Sequence, residues 1–187
     1  MLVGILSDTH VPEAPELFPE ILEALEGVDL IFHAGDLVIA RVLDELEQIA
    51  PVYAAEGNHD PHLADDPRIE PVHFLELEGF SIALLHIFEP LNWDLKKLLD
   101  QYLGSVRPEI IVCGDTHFER IDYLENVLVI NPGSATLPHN MSPRLGHIAY
   151  LTLEKGFPPQ TSIIDLSKPD WRDHAARAVR LPSEGLS

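Results

Sequence analysis

Five short blocks recur along the chain in a fixed order, each able to present oxygen or imidazole donors: Asp8-Thr9-His10, Gly35-Asp36, Gly57-Asn58-His59-Asp60, a lone His86, and Gly114-Asp115-Thr116-His117. Every block follows directly on an apolar run that reads as a β-strand. Open α/β sheets build their sites at the carboxyl ends of strands, so the five blocks are expected to gather there. Asp, Asn and His in that mixture suit two closely spaced divalent cations, and such pairs clamp phosphoryl groups and activate water. Asp8 and His10 alternate along an extended chain, so both can reach one point only if the backbone turns between them. Gly35, lacking a side chain, would let the backbone approach closely beside Asp36. Taken alone, an Asp-x-His at a strand end is as readily a capping or structural feature, and Gly-Asp is equally unspecific. The weight lies in the ordered set.

The elements that must carry these blocks follow from periodicity. Residues 2–6 read as a buried strand, residues 15–25 as an amphipathic helix closed by Gly27, and residues 30–32 as a second strand. A helix over residues 42–49 and a strand over 51–55 complete a β-α-β-α-β pattern, which implies parallel strands with crossover helices. Residues 73–77 and 80–85 flank Glu78-Gly79 as a hairpin. A helix over 95–103 and a buried strand over 109–113 follow, then strands over 120–123, 127–130, 148–153 and 162–166. A parallel first half with antiparallel additions predicts two mixed sheets packed face to face with helices outside. One domain is expected over residues 1–167, with 168–187 as a C-terminal tail.

Twelve basic residues against 31 acidic give a net charge of −19, which repels nucleic-acid backbones and argues against a nonspecific nucleic-acid binder. Most of that acidity reads as solvated helix surface. No apolar run approaches the ~20 residues of a membrane span, and the first residues, short and uncharged before Asp8, are not expected to act as a signal peptide. The single cysteine, Cys113, sits in an apolar run and reads as a small buried hydrophobe in a chain expected in the cytoplasm.

The order and content of the five blocks resemble the calcineurin-like metallophosphoesterase superfamily, in its small single-domain bacterial and archaeal phosphodiesterase branch. The resemblance runs from residue 1 to about residue 165. It implies a four-layer αββα sandwich and a two-metal phosphoesterase, more a phosphodiesterase than a monoesterase, acting on a small phosphate ester through a metal-bridging hydroxide. By the same likeness Asp8, His10, Asp36 and His117 hold one metal, Asp36 bridges to a second that Asn58 and His86 also ligate, and His59 faces the substrate as the catalytic acid. Asp60 is a candidate to support His59.

Three departures from the family pattern stand out. The phosphatase branch has a further acid three residues after the aspartate of its Gly-Asp block, where this chain has Ile39; that weakens the case for monoester hydrolysis. The usual last block reads Gly-His-Thr-His, yet Asp115 stands at the first histidine. Either the second site is lost or a carboxylate replaces an imidazole; we take replacement, which tilts preference from Zn²⁺ toward Mn²⁺ or Mg²⁺, with Fe and Ni as further candidates. A second histidine shortly after His86 is missing, and Phe88, Leu91 and Trp93 there either wall a pocket or pin a loop to the core.

Asn131-Pro-Gly-Ser134 is a tight turn by composition, and similar proteins have it beside the site. Arg144 lies where they often carry an arginine, a candidate for bidentate phosphate binding and equally an ordinary surface residue. His33 reads as a core or supporting histidine, and His62, His73, His139, His147 and His174 as surface or structural. The alternative function is a binding scaffold of the same fold, as in the retromer-type sorting subunit; retention of His10 and His59 favours the enzyme. Homo-oligomerisation stays open.

Overall fold

The structure, a computed structural model, describes residues 1–10, 17–140 and 143–179. Its strands are β1 (Leu2–Leu6), β2 (Leu30–His33), β3 (Val52–Ala55), β4 (Ile69–Glu70), β5 (Val72–Leu77), β6 (Phe80–Leu85), β7 (Ile110–Val112), β8 (Arg120–Leu124), β9 (Val127–Asn131), β10 (His147–Thr152) and β11 (Gln160–Asp165). The helices are α1 (Pro19–Leu25), α2 (Arg41–Leu46), α3 (Leu95–Leu103) and α4 (Trp171–Ala178). One sheet runs β11-β10-β1-β2-β3-β4 and the other β5-β6-β7-β9-β8.

Period-2 alternation along the strands builds the layers. Val3, Ile5 and Phe32 of the first sheet meet Ile82, Leu84, Ile110, Val112 and Ile130 of the second, forming the core between them. Leu6 and Ile31 point the other way, against Ile21 and Leu25 of α1, Leu43 and Leu46 of α2, and Trp171 of α4. On the far side Ala83, Leu85, Ile111 and Val129 meet Leu98, Leu99 and Leu103 of α3. The result is the four-layer αββα sandwich of two mixed sheets.

Several boundaries differ from the sequence reading, each for a local reason. Helix α1 begins at Pro19, whose fixed φ suits a first helical position; positions 15 and 16 of the predicted helix lie outside the described residues. Helix α2 ends at Leu46, three residues short of the predicted end. The second sheet has a parallel centre, β6-β7-β9, where antiparallel additions were expected. Helix α3 connects β6 to β7, and β8, antiparallel to β9 at the sheet's edge, takes up the chain reversal that brings β9 parallel to β7. Strand β4 and helix α4 were not anticipated. Among the described residues no helix is long and apolar enough to cross a membrane.

Candidate metal centre

The parallel strands of both sheets point their carboxyl ends to one edge, and all five blocks lie there. Asp8 and His10 follow β1, Asp36 follows β2, Asn58 and His59 follow β3, His86 follows β6, and Asp115 and His117 follow β7. The turn demanded between Asp8 and His10 is present: both residues take left-handed backbone, with φ of 53° and 41°. Their N–H groups donate to Gly35 O at 2.9 Å and Asp36 O at 3.1 Å, tying the end of β1 to the end of β2. Asp36, Asp115 and His117 are also left-handed, at 59°, 69° and 61°. Gly35 is required where it stands, because a Cβ there would lie 2.5 Å from His86 Nδ1.

The donor atoms converge. Asp8 Oδ1 lies 3.5 Å from His117 Nε2 and 3.9 Å from His10 Nε2, while the two Nε2 atoms of His10 and His117 stand 3.0 Å apart. Asp36 divides its carboxylate, with Oδ2 at 3.5 Å from His10 Nε2 and Oδ1 at 3.5 Å from His86 Nε2. His86 Nε2 lies 2.9 Å from Asn58 Oδ1 and 3.7 Å from Asp115 Oδ1. All seven candidate ligands are therefore drawn into one continuous cluster.

Backbone carbonyls orient the imidazoles. His86 Nδ1 donates to Ala34 O at 2.6 Å and His117 Nδ1 to Leu137 O at 2.8 Å, so each ring presents an Nε2 lone pair to the cluster. The same arrangement fixes metal-binding histidines elsewhere. Asp8 is fully buried, and its Oδ1 has no hydrogen-bond partner. Burial pushes its pKa up to about 7, against the pull of His86 and Ser7. Burial likewise lowers the His10 pKa, although Asp36 opposes it. Lone pairs aimed at one another and a buried, unpartnered carboxylate oxygen are what a fold tolerates when cations fill the space between them. The donor set fits divalent ions.

His59 lies at the mouth, its side chain 57% exposed and Nε2 3.9 Å from Asp36 Oδ2; its backbone N–H donates to Asp36 Oδ1 at 3.0 Å. The expected support from Asp60 is not found. Asp60 is buried and accepts from the backbone N–H groups of Leu37, Val38 and Gly57, at 3.2, 2.8 and 3.0 Å. Its carboxylate is thus consumed in joining the loops after β2 and β3. Ile39 packs on the first sheet's outer core and supplies no acid. Phe88 and Leu91 pin their loop to the α3 layer, whereas Trp93 is exposed under the Lys97 ammonium, 3.4 Å above its ring. Arg144 is exposed, with its N–H on Thr136 O at 2.8 Å, and its charge bears on His147. Among the described residues its guanidinium makes no hydrogen bond or ion pair with the seven-residue cluster.

His33 is fully buried and satisfied, with Nε2 3.1 Å from Thr9 Oγ1 and Nδ1 accepting from Gly35 N–H. Burial drives its pKa down to about 3, so it stays neutral. His73 bonds Ala54 O and His62 bonds Val38 O, both structural. Cys113 is buried, and burial pushes its thiol pKa up, which leaves it inert. Sequence reasoning missed the brace beneath Asp8. Ser134 Oγ donates to Asp8 O at 2.7 Å, and Thr136 Oγ1 donates to the Thr9 carbonyl. The turn composition at 131–134 signalled the place without the bonds.

A family model describing the calcineurin-like phosphoesterase superfamily domain matches residues 1–156. A probable metallophosphoesterase from Methanothermobacter thermautotrophicus is 38% identical over 146 residues, covering 76% of this chain and 82% of that protein. A phosphodiesterase from Methanocaldococcus jannaschii is 25% identical over 189 residues, covering 92% of this chain and 98% of that protein. Among solved structures, Vps29 of Entamoeba histolytica in complex with Zn²⁺ superposes with a TM-score of 0.65 at 20% identity, over 89% of this chain and 100% of that one, a likeness of fold. With the ordered blocks, the sandwich and the matched model in agreement, the chain belongs to the calcineurin-like phosphoesterase superfamily.

Proposed function

We propose that the chain hydrolyses small phosphodiesters with two divalent cations held in this cluster. Asp8, His10, Asp36 and His117 would hold one ion, and Asp36, Asn58, His86 and Asp115 the other. The observation that carries the reading is the divided Asp36 carboxylate, one oxygen facing His10 and the other His86 at 3.5 Å each. Bound ions of this kind supply a nucleophilic water at neutral pH and an electrophilic clamp on the phosphoryl oxygens. Asp115 adds a hard donor where a histidine would be softer, which favours Mn²⁺.

His59 is the group free to move a proton. Its ring edge meets His10 at a centroid distance of 5.2 Å, and its exposed Nε2 can protonate the departing ester oxygen. A cleft of about 360 Å³ opens beside Asn58 and His86, walled by Pro61, Val72, Ile87 and Tyr102. Such a wall suits a second ester substituent, which a diester has and a monoester lacks. With Asp60 consumed and Ile39 apolar, the carboxylate that faces the His59 side chain is that of Asp36, itself assigned to the ions, so no separate acid supports His59 among the described residues. Arg144 is assigned the phosphate-contacting role with the exposed guanidinium as its basis.

Turnover of a bis-aryl phosphodiester and the matching aryl monoester by Mn²⁺-loaded protein tests this. The diester should be cleaved faster. Faster monoester cleavage would refute the diester assignment, and no cleavage of either by protein carrying its metals would favour the scaffold reading.

A further inference from the structure

Away from the central cluster, a second group of donors meets on the surface beside β10. Glu119 lies two residues beyond His117, His139 sits in a left-handed turn at Pro138–Asn140, and His147 opens β10. His139 Nε2 stands 2.8 Å from Glu119 Oε2, and His147 Nε2 stands 3.7 Å from Glu119 Oε1. One ligand atom from each of the three lies within 4.8 Å of the others. Bonds of 2.0–2.1 Å in a tetrahedral zinc site place neighbouring donors about 3.3 Å apart, so small side-chain adjustments would close the set on an ion.

We propose that Glu119, His139 and His147 form a separate cation site that takes a zinc-class transition ion. The donors are held by different elements and need no large rearrangement. Phe118 stacks on the His139 ring at a centroid distance of 4.7 Å and an interplanar angle of 15°, which fixes its plane. His147 is buried, and its Nδ1 has no hydrogen-bond partner. Asp165 Oδ2 is 3.8 Å from His147 Nε2 but is also held by Lys168 at 3.5 Å and accepts from Ser167 through its other oxygen. Arg144 adds a positive charge near His147. We therefore assign three protein donors and a fourth position filled by water, the pattern of an open zinc site.

Two imidazoles and one carboxylate form a softer set than the oxygen-rich centre, so the two sites should select different ions. They are also mechanically joined. His139 N–H donates to His117 O at 3.0 Å, and His117 Nδ1 donates to Leu137 O at 2.8 Å. An ion on Glu119 and His139 would brace both segments that orient His117.

The test is anomalous scattering above the zinc edge from crystals of the full chain soaked in Zn²⁺ alone. A peak bonded to Glu119, His139 and His147 is expected, read separately from any peak at the central cluster. In solution, His139→Ala and Glu119→Gln should each weaken this site's zinc affinity by roughly 10–100-fold or more, the loss that follows from removing even a supporting group. Saturating zinc without a peak there, or a peak that persists unchanged in His139→Ala, would overturn the assignment whatever the central cluster does.

Discussion

Around α3 every local preference agrees with the fold, whereas at the sheet edge carrying Asp8, Asp36 and Asp115 those preferences are opposed. Asp94 caps α3 by accepting from Lys97 N–H, Leu98 and Leu103 fill the layer beneath, and Lys96 pairs with Asp100 one turn on. At the sheet edge five of the candidate ligands take left-handed backbone, a conformation that costs about 1–3 kcal/mol at each. One buried carboxylate oxygen there is unpartnered, and two imidazole nitrogens face each other at 3.0 Å. Left-handed non-glycine backbone also occurs elsewhere, as at Glu78 and Glu125 in the hairpin turns. At this edge, however, it is gathered with an unpartnered carboxylate oxygen and facing imidazole nitrogens, the kind of local conflict a chain keeps where it has a function. The difference separates what makes the domain stable from what makes the site.

That contrast can be broken by substitution. The largest effect is expected from Asp36→Asn, which removes the divided charge without changing shape. Diesterase turnover should fall by at least about 10³-fold, since metal stabilisation is worth several kcal/mol and each ~1.4 kcal/mol is tenfold. Metal content should fall with it while the circular-dichroism spectrum stays unchanged. If that variant kept its metal and rate, Asp36 would not be a shared ligand.

His59→Ala comes next. It should lower kcat by ~10²–10⁴-fold, the usual scale of a general-acid contribution, with metal content intact by elemental analysis. Loss of metal alongside activity would make His59 a ligand rather than the proton donor. In the α3 layer the expected pattern reverses. Leu98→Ala should cost ~2–5 kcal/mol in denaturant unfolding, as buried leucine truncations do, with metal stoichiometry unchanged at temperatures where the protein is folded. Metal loss from the folded Leu98→Ala protein would dissolve the distinction between the two regions.

How much was legible beforehand follows the same line. Helix α3 matches the predicted span from Leu95 to Leu103, because capping, periodicity and a terminal glycine coincide. The gathering of the seven candidate ligands at one sheet edge was readable, since each sits in a short block ending an apolar run. Strand β4 escaped notice because two residues carry no periodicity, and α4 because Trp171 is its one buried residue among those described. Asp60 was misread since its partners are loop amides up to 23 residues away. Glu119, His139 and His147 were unreadable as a group because 20 and 28 residues separate the first from the others, and long-range contacts such as His139 N–H on His117 O bring them together.

The most direct test of the account is metal stoichiometry at the central cluster, measured in Mn²⁺-loaded protein together with diester turnover. About two Mn²⁺ per chain are expected for the parent and about one for Asp115→Ala, with turnover abolished by chelation and restored by Mn²⁺. Turnover that persists undiminished in chelator, or one bound ion in a fully active parent, would contradict the two-cation centre.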